Sequence, residues 1–393
     1  MKIAIISCYN EGEANSEYTK ALEKEMLLQG HSVEILDLPF NIFGKTSSTA
    51  KKQADSIIKE YAKRLNDFDF VNIHYEFLLL GRKAKDVLRR VLWLINSCKP
   101  HQFSVVFHNF PEGKIYSSLK LKLYKHIKKA TPRSIVQTIF HAVENNKGLA
   151  IVHTFRQQHF IKSCCPKLKT IVMPLRYERN DKAKNLIQNF SKIDFIEEKH
   201  LSLPKNVKII SVVGTLHPHK DNISVIHALK LLPDNYHLFF FGGMHKLAFS
   251  VAPAGLPYIA KAQELVCDLG LEDRVHFMGY QETTEDFQNA CLFSDYIVMP
   301  YTENGEGASA AAYTALELCH HVFCSRNNCF EELNLFCANA GIGSCTFQYD
   351  MGNYMELAEK IKSLPNEKRI LENRLKFLEN YSITENTQHC IGL

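Results

Sequence analysis

The sequence lacks any long uncharged apolar run. Its most apolar stretches, such as residues 209–216, have the length of a strand, whereas a membrane-spanning helix needs about 20 residues. The segment KIAIIS after Met1 is too short for the apolar core of a signal peptide, and no small-residue cleavage site follows it. We therefore expect a cytoplasmic protein that does not cross a membrane.

The sequence also lacks C-x-x-C pairs, although it contains 12 cysteines. Several of these lie in apolar, strand-like segments, as Cys8 and Cys324 do. This pattern predicts reduced, mostly buried thiols. With 46% hydrophobic and 23% charged residues the chain is neither disordered nor collagen-like, and its 393 residues favour two domains.

The chain has little excess charge of either sign, since its net charge is only +5. The positive charge is nevertheless concentrated in one segment. Residues 82–133 contain thirteen Lys or Arg against Asp86 and Glu112, a local net charge of +11. Within this window, LKLKLYKHIKK at residues 119–129 has the pattern of a surface helix attracted to anionic lipid. A solvated helix face is the alternative. Nucleic-acid binding is not expected, because an aromatic stacking platform is absent.

Short apolar strand segments alternate with helix-spaced segments along the whole chain, which predicts parallel sheets covered by helices on both faces. We predict a first Rossmann-like domain over residues 1–175 and an interdomain connection over residues 176–204, where the sequence turns polar. A second Rossmann-like domain covers residues 205–370. A C-terminal helix at about 370–393 is expected to pack back on the first domain.

Ligands of open parallel α/β sheets bind beyond the carboxyl ends of the strands, where helices begin and their free N–H groups favour anions. Two such domains predict a site in the cleft between them. The segment VVGTLHPHK supplies Gly214, two histidines and Lys220 just before a helix, a set suited to a pyrophosphate. A plain solvated loop is the alternative.

The segment YIVMPYTENGEGASAAAYTALEL predicts a second ligand loop, between a strand ending near Pro300 and a helix beginning near Ser309. Small residues at a helix N-terminus let a ligand reach the backbone N–H groups. Glu306 would repel a phosphate but suits sugar hydroxyls. An acidic loop with Ser309 as a plain N-cap is the alternative reading.

His74 and His108 each end an apolar strand of the first domain. A structural hydrogen-bonding role is the simplest reading of one such histidine, but two at the ligand-facing edge favour a functional role. Asp67 and Asp69 form a D-x-D pair that precedes a strand instead of ending one, so we do not assign it to a metal.

In the order and spacing of these segments, nearly the whole chain resembles the GT-B glycosyltransferases, in particular the retaining family 4 type. The resemblance implies two Rossmann-like domains facing each other across a cleft. It implies that His108 lies near the anomeric centre of the donor sugar, that Lys220 neutralises the donor pyrophosphate, and that Glu306 is the first carboxylate of the E-x7-E signature. Transfer would need no metal ion and no cofactor.

The sequence departs from the family pattern at several positions. The second E-x7-E carboxylate falls on Thr314, with Glu317 one turn on as a substitute, and Thr215 or His217 replaces the family arginine. The expected catalytic residues are His108 and Glu306. The expected acceptor-side residues are Gly12, His74 and Asn109. The expected donor-side residues are Gly214, Thr215, His217, Lys220, Tyr280, Gly307, Ser309, Ala310, Thr314 and Glu317.

The function that follows from the resemblance is transfer of a sugar from a nucleotide diphosphate sugar to a glycan or lipid-linked acceptor, with retention, in polysaccharide or glycoconjugate synthesis. The basic window would then contact the inner face of an anionic membrane. Three alternatives keep the same architecture. They are a sugar-nucleotide epimerase, a phosphorylase, and a catalytically impaired protein that binds sugars or nucleotides.

Overall fold

The computed structural model divides the protein into two compact units. The first unit comprises Met1–Tyr177 and Tyr381–Leu393, and the second comprises Glu178–Asn380. The residues described below are 1–10, 14–113, 130–243, 255–302 and 307–393. Within these ranges, no helix combines the length and the apolar character needed to span a bilayer.

The first unit is built on a six-stranded sheet in the order β2-β1-β3-β4-β5-β6, and all neighbouring strands are parallel. The strand order reverses beside β1, so β1 and β3 define the switch point at which ligands of such sheets bind. The strands are β1 (Lys2–Ser7), β2 (Ser32–Asp37), β3 (Phe70–Glu76), β4 (Phe103–Asn109), β5 (Leu149–Val152) and β6 (Thr170–Val172).

Helices connect these strands, and side-chain caps fix where several of them begin. Ser47, Thr131 and Thr154 each accept a hydrogen bond from a backbone N–H of the first turn, which satisfies a donor that the helix itself leaves unpaired. The helices of this stretch are α1 (Ala14–Leu28), α2 (Phe40–Phe43), α3 (Ser48–Arg64), α4 (Ala84–Ser97), α5 (Pro132–Asn145) and α6 (Phe155–Cys164).

The second unit has its own six-stranded parallel sheet, in the order β12-β11-β10-β7-β8-β9. Counted from its own first strand this is the Rossmann order 3-2-1-4-5-6, with the switch point between β7 and β10. The strands are β7 (Lys208–Val213), β8 (Tyr236–Phe241), β9 (Val275–Phe277), β10 (Tyr296–Met299), β11 (His321–Ser325) and β12 (Phe347–Tyr349). The α/β fold class is therefore confirmed for both units.

The helices of the second unit alternate with its strands. They are α7 (Asn180–Asn189), α8 (Lys192–Glu198), α9 (Asn222–Lys230), α10 (Gly255–Asp268), α11 (Thr284–Phe293), α12 (Ala310–Leu318), α13 (Asn328–Asn339), α14 (Tyr354–Ser363) and α15 (Glu367–Asn380). The last helix of the chain, α16 (Ile383–Cys390), belongs to the first unit.

The segment expected as an interdomain connection, residues 176–204, differs from that expectation. It contains α7 and α8, and Phe195 of α8 is buried with its ring 4.7 Å from that of Phe293. Lys192 forms an ion pair of 2.9 Å with Asp295. Both helices are polar on their outer faces and bury only a few apolar residues, so the sequence reads as a linker although the segment packs on the second unit.

The C-terminal return to the first unit is shorter than expected. Residues up to Asn380 belong to the second unit, and Tyr381–Leu393, which contains α16, belongs to the first. The carbonyl of Cys390 accepts hydrogen bonds from Asn72 Nδ2 at 3.3 Å and Ser104 Oγ at 2.5 Å. These two buried donors lie on β3 and β4, and both are paired with the end of the chain. All 12 cysteines are free and most are buried.

Candidate functional site: two strand-end clusters

The loop after β7 begins at Gly214, in a backbone conformation that favours glycine because it has no Cβ. Gly214 has φ +104°, and its N–H donates to the Phe241 carbonyl at 3.0 Å. Gly242 directly follows β8. It approaches Gly214 so closely that a Cβ on Gly242 would lie 1.6 Å from the Gly214 carbonyl oxygen. The two glycines therefore bring neighbouring loops into backbone contact at the carboxyl edge of the sheet.

Lys220 closes this loop in a 3-10 turn, Pro218–Lys220, just ahead of α9. Its side chain is only 9% exposed, and its ammonium lies 3.4 Å from the centroid of the Tyr301 ring, which follows β10. The Thr302 N–H also donates to the His219 carbonyl at 2.9 Å. These contacts hold the loops after β7 and β10 together at the switch point of the sheet.

The start of α12 lies beside the same tyrosine. Ser309 is the N-cap, and its Oγ accepts from the Ala312 N–H at 3.3 Å. The Tyr301 hydroxyl lies 3.0 Å from Ser309 Oγ. Ala310 is the first residue of the helix and Gly307 is buried just before it. The Lys220 ammonium and the N-terminus of α12 thus both contact Tyr301. Each of them favours an anion.

The remaining donor-side candidates after β7 and β9 lie at the same edge. His217 is partly exposed and its ring centroid is 4.2 Å from that of His219, while Thr215 is exposed. Tyr280 follows β9, and its backbone N would lie 3.3 Å from a Cβ on Gly243. The N–H of Leu216 donates to the Gly243 carbonyl at 3.2 Å. Gly243 therefore links the loops after β7 and β9.

Thr314 and Glu317 form hydrogen bonds with other residues of the second unit. The Thr314 hydroxyl donates to the Ala310 carbonyl of its own helix at 3.3 Å, and its side chain is buried. Glu317 is also buried, and its carboxylate accepts from the Glu178 N–H at 3.4 Å. Their donor-binding role stays a prediction. Glu306, expected as a catalytic carboxylate, lies outside the described residues.

In the first unit, three histidines from adjacent strands meet at the carboxyl edge. His74 Nδ1 lies 3.0 Å from His108 Nε2, and the His108 ring stacks on His153 with centroids 5.3 Å apart. His74 and His153 are buried, and His108 is partly exposed. Tyr18 of α1 is buried beside all three rings, at centroid distances of 5.6–6.0 Å.

Burial controls the charge state of this imidazole cluster, which we define as His74, His108 and His153. It lowers the pKa of His74 to about 3 and that of His153 to about 4. Burial and the neighbouring His74 and His153 hold the pKa of His108 well below its usual range. The cluster is therefore neutral near pH 7, and its rings act as hydrogen-bonding groups instead of cations.

The imidazole cluster and the neighbouring Tyr18 contain buried polar atoms without a hydrogen-bond partner in the described structure. His153 Nδ1 lies 3.1 Å from the Met173 carbonyl, and because a carbonyl only accepts, this nitrogen bears the proton. His153 Nε2 is then an acceptor, and it has no partner. His74 Nε2 and the Tyr18 hydroxyl are also buried without one. Such atoms are costly unless a ligand or water meets them.

The structure shows fewer contacts for the other acceptor-side candidates, Asn109 and Gly12. Asn109 ends β4 at an exposed position beside His108. Gly12 lies outside the described residues. Glu76, at the end of β3, is tied to Asn15 of α1 by a hydrogen bond from the amide.

Residues 194–381 match the family "Glycosyl transferases group 1". A glycosyltransferase from Rickettsia africae is similar in structure over 100% of this chain and 98% of its own, with a TM-score of 0.65 and 16% identity. The chain has the GT-B fold, and the match to the glycosyl transferases group 1 family covers most of its second unit. HepE of Anabaena, in complex with UDP and glucose, has a TM-score of 0.61 at 15% identity, covering 99% of this chain and 98% of its own.

A third similar structure, WaaG, described as a glycosyltransferase involved in lipopolysaccharide biosynthesis, covers 100% of both chains with a TM-score of 0.59 at 14% identity. None of the curated proteins matches the sequence. The expected GT-B resemblance is therefore confirmed for the fold, and the family match covers most of the second unit.

Three residues of these two strand-end clusters were not predicted from the sequence. His153 follows an apolar strand as His74 and His108 do, so the same strand-end pattern identifies it. Tyr301 follows Pro300 directly after β10, and an aromatic residue at that point was a usable signal. Tyr18 lies in a helix with ordinary spacing and left no signal, because only the folded chain brings it to the histidines.

The basic window, residues 82–133, is only partly described, since its segment 114–129 lies outside the described residues. Within the described part, Arg90 is 2% exposed and its Nε lies 2.8 Å from an Asp55 carboxylate oxygen. Arg89 contacts the same carboxylate at 2.6 Å. These two guanidiniums are occupied by internal ion pairs, which leaves less of the positive charge for a partner than the sequence count implies.

Proposed function

We propose that this protein is a glycosyltransferase that transfers a sugar from a nucleotide diphosphate sugar to a glycan or lipid-linked acceptor. The observation that carries the proposal is the position of Lys220, buried at the switch point with its ammonium against Tyr301 and near the start of α12. A diphosphate placed there would meet a fixed positive charge and the free N–H groups of a helix.

Departure of the nucleoside diphosphate leaves negative charge on the phosphate oxygen that was bonded to the sugar. Lys220 and the first turn of α12 would stabilise that charge as it develops, and groups held in position beforehand do so without reorganisation. This chemistry requires no metal ion or cofactor, and we propose a metal-independent reaction with retention at the anomeric carbon. That HepE binds UDP and glucose supports a nucleotide sugar as donor.

The imidazole cluster supports an acceptor-side role for the first unit. His108 is its partly exposed member, and His74 and His153 hold it from two sides. We propose that the neutral His108 ring hydrogen-bonds a sugar hydroxyl, with Glu306 contributing the carboxylate that the resemblance implies. An acceptor in polysaccharide or glycoconjugate synthesis is the proposed partner.

The test compares Lys220→Ala with Lys205→Ala, a control at an exposed lysine of the same unit. Calorimetry with UDP, GDP and ADP identifies the base, and the best nucleotide is then compared with its monophosphate. Lys220→Ala should weaken diphosphate binding at least about tenfold and the monophosphate less, while Lys205→Ala binds as the wild type does. Equal dissociation constants for all three proteins would refute the assignment of Lys220.

Turnover separates transfer from the other chemistries. Incubation of the identified nucleotide sugar with glycan and lipid-linked acceptors, with and without EDTA, should give a product whose anomeric configuration, read by NMR, matches the donor. Isomerisation of the donor without acceptor would indicate an epimerase. Inversion, or loss of activity in EDTA that Mg²⁺ restores, would contradict the proposed mechanism.

We propose in addition that the basic window contacts the inner face of an anionic membrane. Sedimentation with vesicles containing phosphatidylserine should retain the protein at low salt and release it as salt rises, because each lysine near the surface contributes about 1 kcal/mol. Lys122→Glu with Lys125→Glu should reduce binding. Equal sedimentation with neutral and anionic vesicles would contradict this part.

A further inference from the structure

Three potential metal ligands lie together on the first unit, away from its imidazole cluster. His141 and Glu144 are one turn apart on α5, and Cys165 directly follows α6. One ligand atom of each residue lies within 4.8 Å of those of the other two. His141 Nδ1 is 3.1 Å from Cys165 Sγ and 3.9 Å from a Glu144 carboxylate oxygen.

The two distances from His141 Nδ1 are each within about half an ångström of those in a tetrahedral zinc site. Zinc bonds of about 2.3 Å to sulfur and about 2.0 Å to nitrogen put the two ligand atoms about 3.5 Å apart. The same geometry puts nitrogen and carboxylate oxygen about 3.4 Å apart. Side-chain rotation that brings the three ligand atoms, which lie within 4.8 Å of one another, to such separations would seat the ion.

The backbone already holds two of the three ligands in place. The Cys165 N–H donates to the Ile161 carbonyl at 2.7 Å, and its side chain is fully buried. One Glu144 oxygen accepts from the Lys167 N–H at 3.1 Å, which turns the other oxygen toward His141. An outer contact of this kind orients a carboxylate ligand.

The ligand set selects the ion. A thiolate is a soft ligand that disfavours Mg²⁺ and Ca²⁺, and imidazole with thiolate and carboxylate suits Zn²⁺. His141 and Glu144 are partly exposed, so solvent can reach the group and supply a fourth ligand. On binding, the Cys165 thiol gives its proton to solvent and its sulfur forms the bond to the metal.

We propose that His141, Glu144 and Cys165 bind one Zn²⁺ ion, with water as the fourth ligand, and that the ion links α5 to α6. His141 and Glu144 lie in the last turns of α5, and Cys165 directly follows the last residue of α6. Because these helices run antiparallel to the strands, the ligands lie at the amino edge of the sheet, opposite His108. The ion would therefore stabilise the first unit without taking part in sugar transfer.

The experiment titrates Zn²⁺ and Co²⁺ into the reduced, metal-free full chain. We expect one tight equivalent and, with Co²⁺, a thiolate charge-transfer band with the strong visible absorption of a tetrahedral site. Loss of an outer contact alone costs about 10–100-fold in metal affinity, so Cys165→Ser, His141→Ala and Glu144→Gln should each weaken binding by at least that factor. Zn²⁺ should also raise the unfolding temperature of the wild type.

The matched control is Cys164→Ser, which removes the neighbouring, half-buried thiol and should bind as the wild type does. If Cys165→Ser folds poorly, the partly exposed His141→Ala and Glu144→Gln carry the test. The proposal fails if the wild type holds no tight equivalent, or if that equivalent and its cobalt band persist in His141→Ala. It also fails if Cys164→Ser removes them.

Discussion

The ammonium of Lys220 stands 3.4 Å from the centre of the Tyr301 ring, and the Tyr301 hydroxyl lies 3.0 Å from Ser309 Oγ. One aromatic side chain therefore connects the cation after β7 with the N-cap of α12. Substitutions at Tyr301 and Ser309 can separate what the Lys220 charge contributes to diphosphate binding from what the N-terminus of α12 contributes.

Replacement of Tyr301 should weaken diphosphate binding according to what is removed. Tyr301→Leu loses the ring under Lys220, and a cation–π contact is worth about 0.5–2 kcal/mol, so we expect about 2- to 30-fold weaker binding. Tyr301→Phe keeps the ring and should have the smaller effect. Calorimetry measures both, and equal affinity of the leucine variant and the wild type would contradict the link.

Replacement of Ser309 distinguishes a cap from a ligand site. Ser309→Ala removes the cap and should lower the free energy of unfolding by about 1 kcal/mol. Ser309→Asp keeps a capping oxygen but adds a negative charge where the diphosphate is proposed to bind. The aspartate variant should therefore be the more stable of the two and the weaker binder. A variant with aspartate that binds nucleotide normally would exclude this helix start as the diphosphate site.

Gly242 should tolerate no side chain. A Cβ there would lie 1.6 Å from a backbone carbonyl oxygen, that of Gly214, and backbone cannot move aside cheaply. We expect Gly242→Ala to lower the free energy of unfolding by more than about 3 kcal/mol. Gly270→Ala is the control, since Gly270 has φ +62° with nothing within 4 Å and should cost only about 1–2 kcal/mol. Urea unfolding gives both values, and similar losses would refute the clash.

The imidazole cluster predicts how stability depends on pH. The folded pKa is about 3 for His74 and about 4 for His153, against 6.5 in the unfolded chain. Between these values the unfolded chain binds more protons, so the stability that is complete above pH 6.5 falls as the pH drops toward 4. Each group steepens this fall by up to about 1.4 kcal/mol per pH unit.

The measurement is urea unfolding between pH 7 and pH 4.5. His153→Gln removes one titrating group and should flatten the dependence, whereas His159→Gln, at an exposed position, should leave it unchanged. An unaltered slope in the His153 variant would show that burial does not suppress its ionisation.

Most of the fold follows from local pattern. The strand segments KIAIIS and FSVVFHN and the helix AAAYTALEL form where periodicity places them. The short strands β6 and β12 and the helices α7 and α8 escape such reasoning, because each buries too few apolar residues to stand out. Their packing comes from the neighbouring elements.

For the site, sequence alone determined that His74 and His108 lie near the carboxyl ends of strands and that Lys220 lies in the loop after one, since all three follow apolar runs typical of buried parallel strands. What only the tertiary structure decided is which of these ends meet. Strand order is a long-range property, set by how each crossover helix packs on its sheet, so the contacts of Tyr301 with Lys220 and of Tyr18 with three histidines exist only in the folded chain. The same holds for Cys165, which meets His141 because α5 and α6 end at one edge of the sheet.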